Sequence, residues 1–402
     1  MRCRWWLRMP PARRMPWPGR SEERSPARLL SPGPASGVEV MNGRRLMTKR
    51  IATGLALGLM FNGLIAVAAD APPAGTELPS RMVPIKPNAA EAYWAPDSRH
   101  LIAQTNDPQA VPGARGGQGN LTWIFSDDGK ELWRVNGRGQ DACSFFFPDG
   151  KRVVWTSTRD HLDFPAGDWT DPDNYPQGAE LYISDWKGNN VQRLTNNKYY
   201  EAEVSVSPDG KWVTFGRQTD GQMDIWVIRP DGTGEQQVTR AADWEEGAPF
   251  FMPDSDHIIF RAWRTADQKK TKPTPMTVFS IRRDGSDWRR HTFDNGMNWH
   301  PTPAPDGRHY VFVRAETPTN WEIYLGDLAG GEPRRLTYYD KMDILAQVSP
   351  DGKKMNWGRA TGAKFMSDIR TFVMDVSSLD IGPERRVDWN PEWGQPMLPA
   401  RP

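Results

Sequence analysis

Short runs in which apolar and polar positions alternate, cut at close intervals by turn residues, set the pattern of this chain. The clearest unit spans residues 203–240. Residues 204–207 lead into the turn Ser207-Pro208-Asp209-Gly210, and 211–217 follow with Trp212, Thr214 and Gly216 alternating against Val213 and Phe215. After Thr219-Asp220-Gly221 come Asp224-Ile225-Trp226-Val227-Ile228, a second turn at Pro230-Asp231-Gly232, and a last run over 236–239. β-branched and aromatic residues fill the runs, as strands prefer. In the first turn, proline presets φ for one central position, aspartate suits the next, and glycine accepts the positive φ of a bulged three-residue hairpin. The pattern predicts four short strands.

The unit repeats. A Pro-Asp turn after a short apolar run recurs at Pro96, Pro148, Pro208, Pro253, Pro305 and Pro350, at intervals of 52, 60, 45, 52 and 45 residues. The second half recurs at Asn120, Glu180, Asp224, Thr277, Glu322 and Asp368, and closing strands end in Thr195, Thr239, Thr292 and Thr337. Ser98 and Ser255 replace the turn glycine, which predicts slightly different turns there. One four-stranded sheet leaves two faces to bury, and stacking neighbours solves that problem. Six such repeats predict an all-β fold, a six-bladed β-propeller of four-stranded antiparallel blades over residues 89–389. Residues 70–88 read as a proline-rich linker, of which 82–85 could add an outer strand that closes the ring. Residues 390–402 read as a C-terminal tail, packed on the last blade or loose.

The residues before the repeats are of two kinds. Residues 1–46 hold ten arginines against three glutamates with no apolar periodicity, and read as a misassigned or disordered leader. Translation is then expected to start at Met47 or Met41. Met47 opens a basic pair, Lys49-Arg50, then an apolar run over 51–67 and the small residues Ala66, Val67, Ala68 and Ala69, the layout of a secretory signal peptide over 47–69. The alternative is an uncleaved anchor over 51–69, long enough to span a bilayer but weakened by Asn62. The expected location is periplasmic or secreted, with no membrane span after cleavage.

Cleavage changes the chemistry. Cys3 leaves with the leader, so Cys143 stands alone and no intrachain disulfide is expected. The formal charge of +1 drops too, because 1–69 carry twelve basic and three acidic residues, leaving 39 basic against 47 acidic, a net of −8. That balance argues against nucleic acid or an anionic membrane surface as partner. A monomer is expected.

The turn sequence S-P-D-G-K, present at Ser207-Pro208-Asp209-Gly210-Lys211 and at Ser349-Pro350-Asp351-Gly352-Lys353, resembles the TolB-type propeller repeat, a relative of the WD repeat. The resemblance covers the whole repeat region. It implies export to the periplasm and a non-enzymatic role, binding a protein or peptide partner in the cell envelope. TolB itself carries an α/β domain between signal peptide and propeller. Here only 70–88 occupy that place, so the part that domain plays in the Tol system does not carry over.

Catalytic signatures are scarce. No G-x-S-x-G elbow follows the ring, and there is no H-E-x-x-H or C-x-x-C. The glycine-rich stretch 113–119 lies between strands with no helix after it, and reads as a loop rather than a phosphate cradle. The histidines show no metal-ligand spacing, and His100 and His309 hold equivalent repeat positions, which points to structure. The rival reading is a propeller enzyme or binding protein acting on an envelope or plant-type polysaccharide, a lyase or glycosidase with carboxylates at the channel mouth. Glycoside hydrolysis would need two of them about 5–10 Å apart.

Candidate binding residues follow from which loops share a face. The tight Pro-Asp turns fall on one face, and the blade-to-blade links fall on the other with the second-to-third-strand loops. Function on repeat scaffolds concentrates in such variable loops. Asp141, Glu201, Glu246 and Asp343 stand seven residues before the turn proline, with Ala89 and Asn298 in the other repeats; Glu91, Glu203 and His300 stand five before it. Tyr199, Tyr200, Trp244, Trp299, Tyr338 and Tyr339 flank them. Insertions at 158–178 and 265–276 add to the same face, the first bringing His161, Asp163, Asp168, Trp169 and Tyr175. The predicted binding set is Asp141, Glu201, Glu203, Glu246, His300, Asp343, Trp244, Trp299, Tyr199, Asp168, Trp169 and Tyr175. Two readings of the acids stay open, a ligand rim or links to neighbouring backbone; the aromatics either stack on ligand or pack between blades. On the rim reading, replacing Glu201 and Glu246 by glutamine lowers affinity and leaves the melting temperature nearly unchanged. No cofactor is expected. Asp168, Asp171 and Asp173 are dense enough in oxygen for calcium but follow no recognised ligand order, and Asx turns account for them more simply.

Overall fold

Ser207 shows how the sequence makes a blade. Its Oγ donates to Asp209 Oδ1 at 2.6 Å and accepts the Trp212 N–H at 3.0 Å, while Asp209 Oδ1 accepts the Lys211 N–H at 3.0 Å. Gly210 takes φ +71°. This turn joins Tyr200–Val206 to Val213–Thr219, and Gln222–Ile228 and Gln236–Gln237 complete the sheet. The first strand starts at Tyr200, before the expected 204, because Tyr200, Glu201 and Ala202 pair with Gln218, Arg217 and Gly216 ahead of a bulge.

The structure, a computed structural model, describes residues 75–86, 88–106, 120–165, 167–268, 270, 272–363 and 368–397. Among them six antiparallel sheets occur, five with their first four strands in chain order and the sixth completed by the N-terminal strand Ser80–Met82. The innermost strands are Ala89–Trp94, Asp141–Phe146, Tyr200–Val206, Trp244–Phe251, Asn298–Pro303 and Asp343–Val348. Among the described residues helix is confined to three 3-10 turns. The fold is therefore the expected six-bladed propeller. The leader, the signal segment and the glycine-rich 113–119 lie outside the described residues. No helix among the described residues is long and apolar enough to cross a membrane.

Blade stacking explains why the middle strands are buried on both faces. Residues 213–218 are all buried, and Trp155, Phe215, Phe260, Phe312 and Trp357 lie fully inside. Burying such a side chain contributes about 1.5–3 kcal/mol. At the two repeats without a turn glycine, Ser98 and Ser255 still adopt φ +54° and +64°. Each hydroxyl accepts a backbone N–H from the neighbouring blade's turn, Asp351 at 3.0 Å and Asp209 at 3.1 Å.

Both flanking segments tie back to the ring. Ser80–Met82 pairs with Ile369–Asp375 as the outer strand of the sixth blade, in register Ser80–Met374, Arg81–Val373 and Met82–Phe372. Part of the segment read as a linker is thus a strand, slightly N-terminal to the stretch proposed for it. Glu77 reinforces it from Arg359 at 3.1 Å. After the sixth blade the chain crosses back along the Pro-Asp turns. Val387 N–H donates to Asp306 O, Trp389 stacks on His257 at 3.9 Å, and Gln395–Pro396 pairs with Arg289–Arg290. The described part of the tail, 390–397, therefore lies on the fourth blade and not on the last one.

Candidate functional site

The innermost strands carry a bulge at one repeat position, and it aims side chains at the axis. Register shifts fall between Ala90 and Tyr93, Asp141 and Ser144, Ala202 and Ser205, Gly247 and Phe250, Trp299 and Thr302, and Ile344 and Gln347. At the bulge Glu91, Glu203, Ala248, His300 and Leu345 take φ of +48° to +58°. Holding a non-glycine residue there costs about 1–2 kcal/mol, and strain of this kind gathers at functional sites. The residue five before each turn proline thus meets its counterparts at the ring centre: Glu91, Cys143, Glu203, Ala248, His300 and Leu345. Two residues further along the same strands stand Tyr93, Phe145, Ser205, Phe250, Thr302 and Gln347.

These positions form a polar layer above an aromatic floor. Glu91 Oε1 accepts from the Cys143 thiol and the Tyr93 hydroxyl, both at 3.0 Å, and Oε2 from Gln104 Nε2 at 2.5 Å. Tyr93 Oη also meets His300 Nε2 at 2.8 Å. Since Tyr93 gives its proton to Glu91, His300 carries its own on Nε2 and donates it. Burial and the nearby Arg261 charge hold His300 down to about 3, so the ring is neutral. Burial pushes the Glu91 carboxyl up, against the three hydrogen bonds that hold it down, and pushes the Cys143 thiol well up. Glu203 Oε1 accepts from Arg261 Nη2 at 2.7 Å and Oε2 from the Ala248 N–H at 2.8 Å. Below, the Tyr93, Phe145 and Phe250 rings lie 5.3–6.3 Å apart, with His300 at 5.1 Å from Phe250.

The 158–178 insertion reaches this layer from the link face. Tyr175 stacks on Tyr200 at 4.2 Å and shares a core cluster with Cys143, and Trp169 lies 5.8 Å from Tyr200. Gln218 Nε2 anchors the loop at Pro172 O, 2.8 Å away.

The predicted set divides. Glu203 and His300 face the axis, and Tyr175 packs beside it. Asp141, Glu201, Glu246 and Asp343 do not form a rim: all are at most 1 % exposed. Asp141 binds Thr122 and Asn136, Glu201 binds Asn197 and Arg217, Glu246 accepts from Thr239 Oγ1 at 3.2 Å, and Asp343 binds Arg359. They are struts, because the link runs between two stacked sheets where a short carboxylate finds backbone and side-chain donors before it finds water. Trp244, Trp299, Tyr199 and Trp169 are half-buried and Asp168 is exposed, all on the link face. Trp299 packs edge-on against Trp321 at 5.9 Å, and Trp244 lies under Arg264 at 4.6 Å. Asp168 Oδ1 accepts from the Thr170 N–H and Asp171 Oδ1 from the Asp173 N–H, both Asx turns. Among the described residues no three carboxylate, histidine or cysteine groups are placed to hold a metal. His100, His257 and His309 bond the aspartate of their own turn.

Tyr93, Arg261, Phe145, Phe250 and Gly247 were missed. Period-two counting back from each turn proline would have found the axial ones. Arg261 and Gly247 carry no such signal, since they act through packing. A Cβ on Gly247 would lie 2.1 Å from Arg261 Nη1 and 2.2 Å from Glu203 Oε2. At the ring closure a shallow groove of about 450 Å3 is lined by Arg81, Asp351, Lys353, Lys354 and Asp375. These are mixed surface charges, without the layered order of the axis.

No family model matches the chain. It is 27% identical over 177 residues to an uncharacterised protein of Agrobacterium fabrum, covering 42% of this chain and 52% of that one. It is 29% identical over 145 residues to a TolB homologue of Chlorobium chlorochromatii, covering 35% and 30%. The chain thus matches about half or less of the length of these curated relatives. Among solved structures, a protein described as putative TolB from Agrobacterium tumefaciens superposes with a TM-score of 0.51 at 21% identity, over 73% of this chain and 93% of that one. TolB from Acinetobacter baumannii also gives 0.51, at 17% identity over 74% and 65%. At such identities the likeness to these structures bears on the fold.

Proposed function

Taking the chain as a TolB-like six-bladed propeller, we propose that it is an exported, non-enzymatic module that binds a protein or peptide partner of the cell envelope at the link face. The observation that carries this reading is the axial layer, where Glu91, Glu203 and Phe145 stay partly exposed. A layer of Glu91, Glu203 and His300 over an aromatic floor lies on the link side of Tyr93 and Phe250. Half-buried aromatics at Trp169, Tyr199, Trp244 and Trp299 belong to the same link face. Amphipathic rings around a concave polar centre suit an inserted peptide, whose backbone and side chains both find partners. The basic, apolar and small-residue pattern over 47–69 supports export to the periplasm.

The test is capture from envelope extract by the exported protein, set beside Trp169→Ala and Trp299→Ala, with a glycan and chromogenic-substrate panel run in parallel. Capture of one envelope protein by the native chain, lost in the tryptophan variants, is the expected result. Turnover or depolymerisation of a polysaccharide would replace this reading with the enzyme. Sequencing the N-terminus of the exported protein checks the location, with a start near Ala69 or Asp70 expected.

A further inference from the structure

Glu91 is an axial carboxylate whose described hydrogen-bond partners are all neutral: a thiol, a phenol and an amide. Glu203, the other axial carboxylate, is matched by Arg261. His300 adds no charge, as argued above. Two carboxyl groups therefore share one guanidinium among the described residues of this layer, and an incoming cation would favour the ionised form of Glu91 that burial works against. A carboxylate enclosed by protein is expensive without a counter-charge. Both glutamates nevertheless keep part of their surface open, Glu203 with 18% of its side chain. They are surrounded yet reachable, as the walls of a well are.

The floor has the complementary character. Tyr93 and Phe250 are buried, while Phe145, 5.3 Å from Tyr93, is itself partly exposed. The His300 ring stands 5.9 Å from Tyr93, and with Nε2 bound to that phenol its buried Nδ1 has no hydrogen-bond partner. In that tautomer Nδ1 is an acceptor. An uncompensated carboxylate, ring faces and a free nitrogen acceptor are together what a delocalised N–H cation requires.

We propose that the axial well seats the guanidinium of an arginine side chain, inserted along the axis by the partner. The plane lies on the Phe145 ring, and its edge N–H groups reach Glu91 and His300 Nδ1. A planar, weakly hydrated cation suits this place better than a compact ammonium. The inference rests on the reading of the propeller as a peptide-binding module and specifies the group that the peptide inserts.

The test uses Nα-acetyl-arginine amide as probe, titrated calorimetrically into the exported protein, its Glu91→Gln variant and its Phe145→Leu variant, with capped citrulline as the neutral isostere. The expected result is roughly millimolar affinity for capped arginine, at least about tenfold weaker for capped citrulline, and a similar loss in each variant. Should Glu91→Gln not fold, as circular dichroism reports, Phe145→Leu decides alone. Equal affinity for the two probes, no binding of capped arginine, or binding unchanged by the substitutions would overturn the proposal. Envelope capture separates the two ideas. A partner held equally by native and Glu91→Gln protein sinks the arginine and leaves the module; bound arginine without any partner does the reverse.

Discussion

Asp141 Oδ2 accepts two hydrogen bonds from Thr122, from its backbone N–H and from its Oγ1, each at 2.8 Å, and so ties the second blade to the first. Burial outweighs these bonds and pushes the carboxyl up to about 6. The folded chain therefore holds this proton more tightly than the unfolded chain, whose aspartate titrates near 4. Stability from this group is highest below the unfolded value and falls as pH rises from about 4 to about 6, then levels off. The loss amounts to about 3 kcal/mol at most. Asp141→Asn removes that titration, and its stability deficit relative to the native protein should shrink by up to this amount between pH 4 and 7. Urea unfolding across that range measures it. A deficit that stays constant with pH would show that Asp141 does not titrate there.

Glu201 and Glu246 carry a second prediction, the reverse of the one made on the rim reading. Glu201 binds Arg217, whose side chain is 7% exposed and also reaches Glu235. Removing one partner of a buried pair leaves an incompletely matched charge, worth about 3–5 kcal/mol when no other partner remains. Glu235 softens that, so the Glu201→Gln and Glu246→Gln double variant should lose about 2 kcal/mol or more. It should melt early and keep its partner affinity per folded molecule. Unchanged melting with lost affinity would restore the rim.

How much was legible follows from what makes the pattern. Turn chemistry such as Ser207-Pro208-Asp209-Gly210 is local, so blade number and strand order could be read directly from it. The struts could not, because Asp141 and Glu201 share the sequence context of a solvent-facing loop and differ only in what the next blade brings against them. Glu91 and His300 were visible at the right repeat position, yet the pairing of Tyr93 with His300, 207 residues apart, exists only once the ring closes. An outer closing strand was legible at 82–85, beside the Ser80–Met82 that forms it. The tail's destination on the fourth blade depends on Trp389 meeting His257, which nothing local encodes.

Ser98 offers a comparison within one turn. Its φ of +54° costs about 1 kcal/mol, and its hydroxyl recovers roughly 1 kcal/mol by accepting the Asp351 N–H of the sixth blade. Ser98→Gly gives up both and should stay within about 0.5 kcal/mol of native. Ser98→Ala keeps the strain and loses the bond, and should be less stable by about 1 kcal/mol. Chemical denaturation ranks the three. Equal stability of the alanine and glycine variants would mean that the turn holds no strain for glycine to release.

Gly247 is where scaffold and axial layer meet. It belongs to the innermost strand of the fourth blade, pairs with Arg261, and has no positive φ, so its lack of a side chain is a matter of space. The Arg261–Glu203 pair at 2.7 Å fills the volume that a Cβ would take, and Glu203 Oε2 also holds the next residue's N–H. Gly247→Ala must push guanidinium and carboxylate apart. Overpacking of this kind costs about 1–3 kcal/mol. Arg261, freed from Glu203, would then stand as an unmatched charge near the well, and partner capture should fall together with stability. Gly247→Ala combined with Arg261→Met and Glu203→Gln tests the assignment, because the shorter side chain leaves room for the methyl group and no carboxylate is left without its counter-charge. The triple variant should regain stability relative to Gly247→Ala without regaining native ligand affinity. If the two added changes leave the Gly247→Ala deficit untouched, the methyl clashes with the strand and not with the ion pair, and Gly247 has no part in the site.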